Sequence, residues 1–150
     1  PWKSRRRKRQ EKQRQRRLVT DMAYTAYAKV ADFEKMFGDT AEISDEELEQ
    51  YLKQASRHID SLTYNRIVGK GISLLSEYQQ EIVKEVCCRQ ALFEYENREI
   101  FDMVLKGYSI NGISMQFGES WNVTIQKGIP VRRDIYEILC QTGLCCGVLR

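Results

Sequence analysis

The stretch Tyr108-Ser-Ile-Asn-Gly-Ile-Ser-Met-Gln-Phe-Gly-Glu-Ser-Trp-Asn-Val123 decides the fold, because it is the one β-like passage in a chain that otherwise reads as helices. Asn111-Gly112, set between Ile110 and Ile113, is a strong turn signal, since both residues tolerate the positive φ of a type I′ turn. Beyond it Ile113, Met115 and Phe117 alternate with Ser114 and Gln116; Trp121, Val123 and Ile125 then alternate with Asn122 and Thr124. A period of two sends each apolar set to a single face. The spacing predicts two short strands joined at Gly118-Glu119-Ser120, in a hairpin occupying 109–125. Such a ribbon is too small to be stable alone. It must pack on its own helices or on a neighbouring subunit, and nothing in it could do chemistry.

On either side of the hairpin the periodicity turns helical. Upstream, Ser76 with Gln79 forms a capping box, which opens the longest helix, Glu77 to Leu105, ended by Gly107. Ile82, Val86, Phe93, Ile100 and Val104 fall within about 40° of one line along it, a seam for packing. Arg89 lies in that seam, and a buried arginine demands a carboxylate partner, on the same chain or on a neighbouring subunit. Residues 64–75 read as a linker. Before it, Ser44 with Glu47 is a second capping box, and Leu48, Tyr51, Leu52, Ala55, Ile59 and Leu62 follow in three- and four-residue steps. A short helix is expected over Ala31 to Phe37, stopping at Gly38. Downstream, Pro130 suits the first turn of a last helix running to Cys140 or Gln141, with Gly143 as its C-cap. The predicted class is therefore mainly α: a small helical bundle with one β-hairpin between the long helix and the C-terminal helix.

A chain of 150 residues is one domain by length. It divides into a basic arm at 1–21, a helical domain at 22–142 and a tail at 143–150. The tail is apolar and bears thiols, with no helical face to join; it is expected to be poorly ordered in the free subunit and ordered on a partner. No run of 18 apolar residues is present, so no membrane span is predicted. Residues 1–17 lack the apolar stretch of a secretory leader, and none is expected. Cys87, Cys88, Cys140, Cys145 and Cys146 form an odd set with two adjacent pairs and no C-x2-C spacing. They read as reduced thiols in an intracellular protein.

The net charge of +3 hides a split. Residues 1–17 hold ten Lys/Arg against Glu11 alone, a net of +9; the other 133 residues hold 14 Lys/Arg and 20 Asp/Glu, a net of −6. The string SRRRKRQEKQRQRR (4–17) resembles arginine-rich peptides that bind RNA hairpins or phosphate backbones. Arg5, Arg6, Arg7, Lys8, Arg9, Arg14, Arg16 and Arg17 are its candidate polyanion-binding residues, because guanidinium groups contact phosphate in two places and stack on planar surfaces. Three readings of residues 1–21 stand side by side: an extension upstream of a start at Met22, a genuine nucleic-acid arm, and a solvated tail.

An enzyme needs groups that converge, and here they do not. His58, the one histidine, lies at the edge of the apolar stripe of its helix and reads as structural, partly buried or interfacial. Asp45, Glu46, Glu47 and Glu49 crowd the first turns of that helix, where they suit its dipole and lack the alternating loop spacing of a calcium site. Gly69-Lys70-Gly71 falls far short of a phosphate loop. Cys87 and Cys88 read as small apolar residues in or beside the core. Cys145 and Cys146 have no flanking base to make them reactive.

The string SINGISMQFGESWNV (109–123), followed by an Ile-Pro-opened helix and the ending QTGLCCGVL (141–149), is similar to the small head–tail connector (adaptor, or head-completion) proteins of long-tailed bacteriophages. ASRHIDSLTYNRI (55–67) and CRQALFEYENREI (88–100) resemble the same family, so the resemblance runs from Tyr24 to Leu149. It implies a helical subunit that assembles into a homo-oligomeric ring, twelve-fold to match the portal, and contributes to the DNA channel. The partners so implied are the portal protein, a downstream tail or stopper protein and DNA in the channel, with no cofactor and no membrane. The place implied is the virion, at the head–tail junction, after assembly in the host cytoplasm. By this resemblance Gln141, Leu144, Cys145, Cys146, Val148 and Leu149 would dock on the portal. Ile110, Asn111, Gly112, Met115, Phe117, Trp121 and Arg89 would make subunit or tail-side contacts. The basic arm departs from a minimal adaptor. It leaves open the alternative of a regulatory nucleic-acid-binding protein whose body is an oligomeriser, although that body shows no helix-turn-helix, aromatic RNA-binding strand or zinc knuckle.

Overall fold

The computed structural model describes residues 24–39, 42–105 and 122–148. Its helices are α1 (Val30–Phe37), α2 (Asp45–Leu62), α3 (Arg66–Lys70), α4 (Glu77–Glu96), α5 (Arg98–Leu105) and α6 (Arg133–Cys140). One antiparallel pair, β1 (Val123–Gln126) and β2 (Ile129–Arg132), lies between α5 and α6. The described residues are thus mainly α with one hairpin ahead of the final helix, as the change of periodicity predicts.

Local signals set the helix starts. Ser76 and Gln79 form the complete box: Gln79 N–H donates to Ser76 Oγ at 3.2 Å, and Ser76 N–H donates to Gln79 Oε1 at 3.1 Å. At Ser44 only half of the expected box forms, with Glu47 N–H donating to Ser44 Oγ at 3.4 Å. The acids of that first turn supply the rest by lying on the positive end of the helix dipole.

The core is the face shared by α2 and α4. Leu48, Leu52, Ala55, Ile59 and Leu62 meet Ile82, Val83, Val86, Cys87 and Ala91, all of them buried. Phe33 of α1, Val131 of β2, and Ile135 and Leu139 of α6 close the sides. Burying each such side chain contributes about 1.5–3 kcal/mol, which is why an eight-residue helix such as α6 holds its place.

Several expectations are corrected. The long helix breaks at Asn97, whose side-chain amide donates to the Phe93 carbonyl at 2.8 Å while its backbone N–H approaches the same oxygen at 3.2 Å. A short polar side chain competing for main-chain carbonyls favours such a stop, and the chain restarts as α5. Residues 64–75 are not a bare linker: they contain α3 and a 3-10 turn at Ile72–Leu74. The strand at Val123 exists, but its partner here lies downstream. Val123 faces Arg132 and Ile125 faces Pro130 across a turn at Lys127-Gly128. Both turn residues have positive φ, 50° and 79°, as a type I′ turn requires. Pro130 therefore belongs to β2, and the last helix begins three residues later at Arg133. The expected strand Ile113–Phe117 and its turns lie outside the described residues. The C-cap of α6 is Gln141, not Gly143, which sits at φ 75° in the turn that follows.

Candidate assembly surfaces

Two polar constellations fix the body. In the first, His58 Nδ1 on α2 meets the Glu94 carboxylate on α4, with side-chain exposures of 27% and 4%. Gln90 Nε2 donates to Glu94 Oε1 at 2.9 Å and to the Pro130 carbonyl at 3.2 Å, so α2, α4 and β2 are joined by side chains. Glu94 Oε2 and Gln90 Oε1 are buried without a hydrogen-bond partner among the described residues. In the second, Asp60 of α2 accepts from Tyr24 Oη at 2.6 Å and from Tyr27 Oη. Tyr27 N–H donates to Ser56 Oγ at 3.0 Å, and the Arg57 guanidinium lies 4.0 Å over the Tyr24 ring. Burial, and then the Asp60 carboxylate, push both phenols above their ordinary range. The described chain begins at this clamp, at Tyr24.

A third set of contacts ties the carboxy-terminal segment to the end of the bundle. Arg66 Nη1 donates to the Leu144 carbonyl at 2.9 Å, Gln79 Nε2 to the Thr142 carbonyl at 2.9 Å, and Tyr78 Oη to Gln141 Oε1 at 3.2 Å. Leu144 is buried. The expectation of a loose tail from residue 143 is corrected on that ground: Leu144 needs no helical face, because the turn after α6 delivers it to the core. Beside it, Tyr64 and Asn65 both sit at φ 56°. Asn tolerates this region; a bulky Tyr seldom does. The Tyr64 ring carries Lys127 Nζ 3.1 Å from its centroid and the Arg66 guanidinium at 5.3 Å. Lys127 Nζ also donates to the Ser61 carbonyl at 2.8 Å.

Of the expected docking residues, Gln141, Cys146 and Val148 are exposed, Cys145 is half-buried and Leu144 is core; Leu149 lies outside the described residues. Arg89 is not in the buried seam. Its side chain is 39% exposed, and its Nε donates to Glu85 Oε1, one turn back, at 2.9 Å. Ile110, Asn111, Gly112, Met115, Phe117 and Trp121 lie outside the described residues, as does the whole basic arm.

All five thiols are free. Burial pushes Cys87 up to about 11 and Cys88 up to about 12; Cys145 is raised to about 12 by burial and then by neighbouring Cys140. These are neutral packing groups near pH 7, as the sequence suggests for Cys87 and Cys88. Among the described residues no cluster of His, Cys, Asp or Glu is placed to hold a metal ion, and no helix is long and apolar enough to cross a membrane. The Tyr24–Tyr27–Asp60 clamp was missed by sequence reasoning. Its trace is an aspartate beside Ile59 on the apolar side of α2, where a carboxylate needs donors.

The chain matches no family model, no curated protein and no solved structure.

Proposed function

We propose that this chain is a structural virion protein. In this reading it is a head–tail adaptor that performs no chemistry: its copies form a ring between the capsid portal and the tail, extend the DNA channel and complete the head for tail attachment. One observation carries the reading. The family-like strings Ala55–Ile67 and Cys88–Ile100 supply facing parts of the α2–α4 contact, including the His58–Glu94 pair, so they encode a packing scaffold.

Two further features support it. The acidic body, with 14 Lys/Arg against 20 Asp/Glu outside residues 1–17, suits a channel through which DNA must slide, since clustered cations would hold phosphate. Gln141, Cys146 and Val148 stand exposed beside the core anchor Leu144, a footing from which the carboxy-terminal segment can reach the portal. A twelve-fold ring matches the portal.

Mass photometry and negative-stain imaging of the purified full chain, alone and with isolated portal rings, test the proposal. Closed rings of one mass that cap the portal are expected. Monomers at every concentration, with no portal binding, would overturn it. The ten cations of residues 1–17 favour a second reading, a regulatory nucleic-acid binder; that reading predicts a salt-sensitive complex with RNA or DNA and no portal binding.

A further inference from the structure

We infer that copies of this protein join head to tail, the apolar end of one body seating on the acidic end of the next. Among the described residues, five of the six large apolar side chains left in water gather at one end, the sixth being Met36 of α1. Tyr64 follows α2, Val68 is on α3, Leu74 closes the 3-10 turn, Tyr78 opens α4, and Val148 follows Gly147, which lies against the Tyr64 hydroxyl. Leu74 is 76% exposed, more than any packing need explains. Apolar side chains grouped this way mark an interaction surface. Arg66, Lys70 and Lys127 stand in the same segments, with Glu77 and, one turn on, Glu81 as the acids at the start of α4.

The opposite end is different. It lies about 27 Å away, the length of the 18-residue α2. Glu42, Asp45, Glu46, Glu47 and Glu49 are exposed there around the start of α2, and Glu96 at the end of α4 and Glu99 at the start of α5 add to them; Lys53 and Arg98 offset part of the charge. The acidic net charge of the body is therefore polar in its placement. An end of one charge sign repels its own copy and attracts the other end. The contact is consequently heterologous, and such a contact either closes into a ring or runs on as a filament. This identification of the contact surfaces rests on the assembly reading and adds to it which faces meet. The basic arm is a rival cation for the acidic end, and substitutions at the apolar end leave the arm untouched.

Sedimentation velocity on the full chain, on Leu74→Asp and on Glu46→Lys/Glu47→Lys tests the contact, with Val68→Asp as an independent second break of the apolar end. All four positions are exposed, and thermal melting verifies that the variants are folded. The unsubstituted chain should self-associate, and each variant alone should do so at least roughly tenfold more weakly. An equimolar mixture of Leu74→Asp and Glu46→Lys/Glu47→Lys should then form a 1:1 complex, because each supplies the end the other lacks. A mixture that stays monomeric, or Asp variants at 74 and 68 that associate like the parent, would overturn the contact. Rings that persist in both Asp variants would leave the adaptor reading standing without it; open filaments of the parent would keep the contact and remove the ring.

Discussion

His58 on α2 and Glu94 on α4 are joined across the central helix pair, each in the C-terminal part of its helix, imidazole Nδ1 to carboxylate, with the Glu94 side chain only 4% exposed. Removing His58 leaves that buried carboxylate with Gln90 Nε2 as its one donor among the described side chains, and losing a partner of a buried carboxylate costs about 1–3 kcal/mol. His58→Ala should therefore lower unfolding free energy by an amount in that range. Adding Glu94→Leu removes the stranded group, so the double variant should be less destabilised than the sum of the two single changes. Urea unfolding of the four proteins measures the coupling; strict additivity would show that the pair contributes nothing.

Asp60 makes the second test. It accepts from two phenols and so holds residues 24–27 to α2. Asp60→Ala should cost about 2 kcal/mol through the two stranded hydroxyls and should admit protease between Tyr24 and Lys29. Asp60→Asn keeps an acceptor and should lose less. Proteolysis at an unchanged rate in Asp60→Ala would mean that packing alone pins the segment.

How far the sequence could be read is clearest at particular residues. Ser76 and Gln79 opened α4 as expected because a capping box is a local device, complete within four residues. A hairpin between the long helix and the last helix was legible, and so was its strand at Val123; the β2 partner was not, because the Lys127-Gly128 turn looks ordinary until its two positive φ values are seen. Pro130 misled for a related reason: proline at a helix start is common, yet a two-stranded ribbon has free edges where its missing N–H costs nothing. Leu144 and Arg89 went wrong in opposite directions, one called loose and found buried, the other called buried and found half-exposed. Both depend on which neighbour reaches them across the fold, and spacing along the chain does not carry that. The clamp at Asp60 likewise joins residues more than thirty apart.

The carboxy-terminal segment can be divided by truncation. A chain ending at Cys146 keeps Leu144 and its bond from Arg66; its melting temperature should match the parent, while loss of Val148 and Leu149 should abolish attachment to capsids. A chain ending at Thr142 also loses the buried leucine and should be less stable by about 2–3 kcal/mol. If the Cys146 truncation attached normally, the docking role of the last residues would be wrong.

Alkaline pH should unfold the protein earlier than its net charge suggests. The Cys87 thiol is raised from 9.0 to about 11 by burial, so the folded state keeps a proton that the unfolded chain releases. A group raised on folding contributes its stability fully below the unfolded value and loses it as pH climbs to the folded one. Stability should accordingly be level up to about pH 9 and fall between 9 and about 11, with the Tyr24 and Tyr27 phenols extending the fall above their ordinary range. Chemical denaturation across pH 7 to 11 measures it, and Cys87→Ala should flatten the slope. An unchanged slope in that variant would assign the alkaline loss to Cys88, Cys145 and the phenols.

The basic arm gives the last prediction. Ten cations in residues 1–17 should bind duplex DNA with an affinity that falls steeply with salt. If about six to eight of them meet phosphates, the slope of log K against log salt is about −5 to −7. Deleting residues 1–21 should abolish that binding, because the body that remains is net acidic and its exposed acids repel the same phosphates. The resemblance to phage adaptors begins at Tyr24, where the clamp on Asp60 begins too, so a protein starting at Met22 should fold, assemble and complement a knockout in full. Fluorescence anisotropy over a salt series measures the first expectation, and plaque formation measures the second. Loss of infectivity by the shortened protein, with normal expression and assembly, would make the arm a working part of the virion and move the DNA contact to the clamp side of α2.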